Sequence, residues 1–389
     1  MRISKSIKKV GLLGQLLLVI TLSAGQDIYF DLSNTTGTAD YLLGSRLVED
    51  ASYVSSALSL SSVLSDNSRA YLDLSHSQIF PLNEYSSSQG ELGLQLRYLE
   101  IKDNQLFAGL HGYVNQYQET YSYYNSSGFG LYLKWKYYLK ANQLFTTGYD
   151  LNMKKYDEVA EASNSEHDIF AAYNQSFKTK TSIKMSTSLA VQDFWAQYSL
   201  TGRGRNMTTS EESDIPSNSL LTTKIRLSQS LGPKIGLTLW LESQSLLNEI
   251  VGSLDVQDGL ENPFTDRFRW EGPSSSTRLI YRLNQNNHLQ ISHSYLSKSY
   301  MDVPVYLFDF SEMDYTLDDE GAMVGLGFDR ADERNSVQFQ WTKYWMTNHS
   351  SWLTDIDLVF GAGWTQNSSN DPLYDYDSMN YSIGLNFNN

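Results

Sequence analysis

The chain has no cysteine, so neither a disulfide nor a thiolate metal site can hold it together. Proline is scarce, at seven in 389 residues. Beyond the first two dozen residues, no apolar run approaches the ~20 residues that a membrane-spanning helix needs. Basic residues are outnumbered, 29 against 44 acidic, for a formal charge of −15. That balance disfavours nucleic acid as a partner. Mean hydropathy is −0.39, the value of a water-soluble chain. Such an average is blind to one architecture, a sheet in which only alternate residues meet lipid.

What is present fits that architecture. Lys5, Lys8 and Lys9 precede the apolar stretch 11–22, and Ser23, Ala24 and Gly25 supply small residues before Gln26. This is the order of a secretory leader, so residues 1–25 are expected to be a signal peptide. Its removal takes away four basic residues and no acid, which brings the mature chain to about −19. Farther on, Phe129, Leu131, Leu133, Trp135, Tyr137 and Leu139 occupy every second position, with Gly130, Lys134 and Lys136 between them. A period of two sends the two sets to opposite faces of a strand. Leu92, Leu94 and Leu96 against Gln95 and Arg97, and Val337, Phe339 and Trp341 against Gln338 and Gln340, repeat the pattern. Aromatic residues make up 13% of the chain, and amphipathic rings suit a membrane–water boundary.

We expect about sixteen strands (14–18) of roughly 9–15 residues, running from 52–64 to 378–387 and counting 321–329 and 335–346 as separate elements. Tight connections divide them: Asp66-Asn67, Lys102-Asp103-Asn104, Lys140-Ala141-Asn142, Gly232-Pro233 and 284–287, rich in residues that tolerate turn dihedrals. Longer polar segments lie at 77–90, 156–166, 197–218, 247–273 and 300–320. All seven prolines fall in or beside these connections, where a missing N–H does no harm. The expected fold is all-β: one antiparallel, up-and-down transmembrane β-barrel over 51–389, with 26–50 a lead-in or short plug. Sidedness is discordant. Starting at 52–64, strict alternation puts the tight turns outside. An extra strand near 28–33 or 41–48 reverses that but makes seventeen, so one strand is misassigned.

The final segment, Tyr381–Phe387, alternates and carries a near-terminal aromatic. With the leader and the strand rhythm, it resembles the carboxy-terminal strand of Gram-negative outer-membrane β-barrel, porin-like proteins. The resemblance is to the class. It implies a location in the bacterial outer membrane, lipid and lipopolysaccharide as surroundings, and recognition of Tyr381–Phe387 by the barrel-assembly machinery. The chain departs from the usual pattern, because Asn388 and Asn389 follow Phe387.

A charged side chain on the lipid face costs about 2–4 kcal/mol for Lys or Arg at midplane. Arg97, Lys134, Lys136, Lys184, Lys224, Arg226, Arg278 and Arg282 are therefore expected to line an aqueous lumen. They form either a basic constriction that favours anions or internal ion pairs with Glu242, Asp73, Asp329 or Asp357. The acidic runs Glu211-Glu212-Ser213-Asp214 and 309–320 lack the ligand spacing of a calcium loop and read as solvated charge. Glu166-His167-Asp168 and Asn348-His349-Ser350 contain residue types used in hydrolysis. Adjacent strand residues point to opposite faces, however, which is poor geometry for a base and its nucleophile. Tyr121, Tyr123 and Tyr124, and Trp341, Tyr344 and Trp345, read as girdle anchors or as sugar-stacking surfaces. No metal, cofactor or catalysis is expected. The expected function is a passive pore or channel for small hydrophilic solutes or ions. The rivals are a surface-exposed binding or assembly scaffold with a blocked lumen and acidic loops, and an exported soluble all-β protein such as a sandwich or propeller.

Overall fold

A computed structural model describes residues 28–43, 46–80, 86–101, 103–158, 163–195, 198–201, 208–212, 217–248, 266–309, 314–318, 323–346 and 355–388. The expected signal peptide, 1–25, lies outside them. The strands are β1 (Ile28–Leu43), β2 (Arg46–Ser65), β3 (Ser68–Phe80), β4 (Ser87–Ile101), β5 (Asn104–Tyr117), β6 (Ser126–Lys140), β7 (Gln143–Tyr156), β8 (Asn164–Ser176), β9 (Thr181–Phe194), β10 (Tyr198–Thr201), β11 (Thr208–Glu212), β12 (Asn218–Ser230), β13 (Ile235–Leu246), β14 (Trp270–Asn284), β15 (Asn287–Tyr306), β16 (Phe308–Asp309), β17 (Asp314–Tyr315), β18 (Gly325–Met346), β19 (Asp355–Ser369) and β20 (Tyr376–Asn388). Sixteen of them close into one antiparallel barrel, β1 to β9, then β12 to β15, then β18 to β20, with β20 pairing back on β1. The pairs β10–β11 and β16–β17 are short ribbons within connections.

The expected strand number is met, but through two errors that cancel. The segment 26–50, expected as a lead-in or plug, supplies β1 and the start of β2. Its alternation is faint because the outward positions Asn34 and Thr36 are polar. They are satisfied within the sheet, Asn34 Oδ1 accepting from Ser56 Oγ at 2.7 Å and Thr36 Oγ1 donating to the Tyr53 carbonyl at 3.1 Å. Conversely, 325–329 of the expected strand 321–329 and the whole of 335–346 belong to one 22-residue strand, β18. The charge-rich residues 330–334 separate the two expected strands. On the inner face, however, Arg330 and Asp332 neutralise each other at 2.5 Å, so the ladder continues. Two prolines also fall inside strands rather than between them. Pro273 lies near the start of β14, and Pro304 sits where β15 shifts register against β18, an irregularity that tolerates a missing donor.

With β1 in place the sidedness closes. Ile28 pairs with Ser62 beside the Asp66-Asn67 turn, and Asn388 pairs with Asp31 and Asp355. Both barrel ends therefore share the rim that carries the short turns, and the long connections occupy the other.

Burial is inverted relative to a water-soluble domain. Twelve apolar residues are buried, whereas forty-three large hydrophobic residues are exposed among the described residues, including Leu131, Leu133, Trp135, Ile169, Leu241, Ile291, Phe339, Phe360 and Ile383. In water such a surface would be severely unfavourable. A lipid-facing belt with a polar interior is its stable setting. The soluble sandwich or propeller is excluded, since the sheet closes on itself as one barrel and no second layer among the described residues covers these side chains.

Candidate functional site: the lumen wall

Cross-strand register carries the inner face around the barrel. Arg97 stands opposite Phe107, Phe107 opposite Lys134, Lys134 opposite Gly148, and so on to Lys184 opposite Arg226 and Lys224 opposite Glu242. All eight basic candidates fall on this face, and they are not equivalent. Lys134, Lys136, Lys184 and Lys224 border one cavity of about 540 Å³ together with Asp150, Asp168 and Arg267. Arg226 and Arg278 lie over the Trp240 ring at 5.5 and 4.8 Å, a cation–π arrangement that keeps both guanidinium groups against the wall. Arg282 pairs in register with His288. Arg97 sits at the short-turn rim, where it donates to Asn67 Oδ1 at 3.2 Å and to the Asp66 carbonyl at 3.1 Å. Of the internal pairings expected, Lys224 and Glu242 meet at 3.1 Å, while Asp73 instead accepts from Ser59 Oγ.

The opposite wall is acidic. Asp31, Asp73 and Glu91 border a second cavity of about 530 Å³, with His111, Tyr113 and Asn152. Glu91 accepts from the Tyr71 hydroxyl at 2.7 Å. These acids lie on β1, β3 and β4, and Lys184, Lys224, Arg226 and Arg278 lie on β9, β12 and β14. In a closed ring of sixteen, the two sets stand half a circumference apart.

Among the described residues, the connection before β14 packs onto the inner wall beside the basic cavity. The 3-10 turn Asp266–Phe268 precedes β14, and Phe268 is 1% exposed against Ala190, Leu220 and Leu246 on the inner face of β9, β12 and β13. Arg267 beside it forms ion pairs with Glu166 and, at 3.7 Å, with Asp168. Elsewhere on the wall Arg330, paired with Asp332, is covered by Tyr300 at 4.5 Å and Tyr374 at 3.2 Å. This cluster ties β15, β18 and the connection after β19 together.

The grouping Glu166-His167-Asp168 is not assembled on one face. Glu166 and Asp168 face the lumen, while His167 faces outward against the Tyr149 hydroxyl at 2.7 Å and Asp193 at 3.7 Å. His111 lies over Gly130, and His349 lies outside the described residues, as do the side chains of 211–214 and most of 309–320. The aromatic clusters also divide. Tyr121 and Tyr124 are buried and stacked at 6.2 Å in the turn Glu119–Tyr124, so they are not lipid-facing anchors. Trp341 faces outward and stacks on Phe360 at 5.4 Å, whereas Tyr344 faces inward and stacks on His288 at 5.2 Å. Sequence reasoning missed Arg267, Phe268, Trp240 and the acidic wall. A cation–aromatic pair at the end of a long polar connection is the faint signal that Arg267-Phe268 left.

A closed sixteen-strand antiparallel barrel with an apolar outer belt and a charged interior is the fold of a Gram-negative outer-membrane, porin-like protein. Solved structures share it. The crystal structure of Acinetobacter baumannii OccAB1 matches at TM-score 0.50 and 12% identity, covering 93% of this chain and 96% of that one. Pseudomonas aeruginosa OccK2 (OpdF) matches at 0.49 and 9%, covering 93% and 98%. The outer membrane protein opdK from Pseudomonas aeruginosa matches at 0.46 and 12%, covering 93% and 99%. At such identities the likeness, resting on the first of these, is one of fold. No protein-family model matches the chain, and no curated protein matches it.

Proposed function

We propose that this protein is a passive channel of the bacterial outer membrane that admits small hydrophilic solutes or ions and performs no covalent chemistry. The observation that carries this reading is the inner wall. Five cations and two carboxylates border a single cavity of about 540 Å³ on one side of the barrel, and such fixed charge selects permeating ions. The excess of Lys134, Lys136, Lys184, Lys224 and Arg267 favours anions. Outside the lumen, lipid and lipopolysaccharide surround the belt, and Tyr381–Phe387, paired in β20 with both β1 and β19, is the segment offered to the assembly machinery.

The test is reconstitution of heat-modifiable, folded protein into a planar bilayer. We expect single-channel currents, and replacing Lys134 and Lys136 by Glu moves the reversal potential toward cations. One observation favours a second reading. The turn Asp266–Phe268 occupies lumen space, as a surface-exposed scaffold with a blocked lumen would require. Folded protein that never conducts selects that scaffold.

A further inference from the structure

The turn before β14 is held as a rigid piece rather than a loose tail. Phe268 is seated on Ala190, Leu220 and Leu246. Gln244, itself 5% exposed, donates from Nε2 to the carbonyl of Arg267 at 2.5 Å and to that of Trp270 at 2.8 Å. The backbone is thus clamped on both sides of Phe268, and the Arg267 guanidinium lies 5.0 Å from the Phe268 ring. From there it reaches Glu166 and Asp168. Asp168 stands directly opposite Asp150 in the β7–β8 ladder, and like charges so placed repel. Three carboxylates on two adjacent strands therefore face the lumen beside the four lysines of the cavity and Lys154 on β7, and of the cations that reach them Arg267 alone comes from a connection rather than from the wall.

We infer that Arg267 is the selectivity-determining residue of the channel. By occupying the acidic patch of β7 and β8 it leaves Lys134, Lys136, Lys184 and Lys224 in control of the cavity's potential. Without it, Asp150, Glu166 and Asp168 offset them at short range, where charge pairs are screened least. This inference rests on the channel reading and deepens it, since a loop residue that no strand pattern marks outweighs any one lysine of the wall.

Reversal potentials across a salt gradient test it with four forms of the full chain: wild type, Arg267→Gln, Lys134→Gln, and Arg267→Gln combined with Glu166→Gln and Asp168→Asn. Arg267→Gln is expected to shift the potential toward cations, and by more than Lys134→Gln. The triple variant is expected to return to the wild-type value or pass it toward anions. Should Arg267→Gln fail to fold by heat-modifiable mobility, Arg267→Lys and the isolated Glu166→Gln/Asp168→Asn pair replace it. The lysine then keeps the wild-type potential and the acid pair shifts it toward anions. Conducting channels whose potential ignores Arg267, or a triple variant that stays cation-shifted, overturn the inference alone. Folded wild type without conductance overturns the channel reading and takes the inference with it.

Discussion

Two arcs of the same wall treat bulky side chains in opposite ways. On β3 to β6 the rings lie down. Tyr71 covers Gly93, Tyr132 covers Gly109, Tyr113 covers Gly128 and His111 covers Gly130, so that a Cβ at any of these glycines would collide with the ring on the neighbouring strand. On β9 to β13 apolar positions of the wall receive a ring from outside the sheet, as Ala190 and Leu220 do for Phe268. The first arc keeps its bulk flat and its side of the lumen wide. The second takes in a piece of chain and thickens. Strand number sets the circumference of a barrel, and the residues that face glycine or alanine decide how much of it stays open.

The comparison is broken most sharply at Phe268. Phe268→Ala removes the anchor of the thick arc and should cost about 3–5 kcal/mol if the turn is docked as tightly as a core aromatic. A lowered urea midpoint in detergent micelles reports it, and an unchanged midpoint would mean the turn does not load that arc. Next comes the pair Leu133→Arg and Lys134→Leu, neighbours on β6 that face opposite ways. The arginine should cost about 2–4 kcal/mol on the lipid side, while Lys134→Leu leaves the unfolding midpoint near wild type. The reverse order would turn the barrel inside out. Third, Gly109→Val drives the Tyr132 ring off the thin arc, an overpacking of about 1–3 kcal/mol, accompanied by a smaller single-channel current. The smallest effect is expected from Gln244→Ala, about 1 kcal/mol. It strips the donors from the Arg267 and Trp270 carbonyls while leaving Phe268 in place, and it is measured in the same unfolding assay.

Much of this fold is legible in alternation alone. Leu131, Leu133 and Trp135 against Lys134 and Lys136 fix which face of β6 sees lipid, and the closed register carries the same assignment to every basic candidate. Legibility fails where an outward position is polar, as at Asn34 and Thr36 of β1, because a neighbouring strand satisfies those groups and no local signal records it. It fails in β18 for the converse reason. A run of charge reads as a connection until Arg330 finds Asp332 on the same face of the same strand. The lumen was half legible. The lysines and arginines declared themselves by the cost of charge in lipid, and Asp73 as a partner for them, whereas Asp31 and Glu91 were indistinguishable from loop acids until closure set them across from Arg278 and Lys224. The role of Arg267 left only the faint mark of its place beside Phe268, since its partners Glu166 and Asp168 lie about a hundred positions away in the chain.

A two-residue period and an aversion to charge in hydrocarbon are local properties, and from them the sequence by itself determined an all-β barrel, its outer face and its candidate cations. Ring closure brings distant strands to one level, and only that tertiary step decided where the acids stand relative to the bases and which connection folds inward. The physical reason is that opposition across a lumen and docking against a wall are relations between remote segments, and no window of sequence contains both partners.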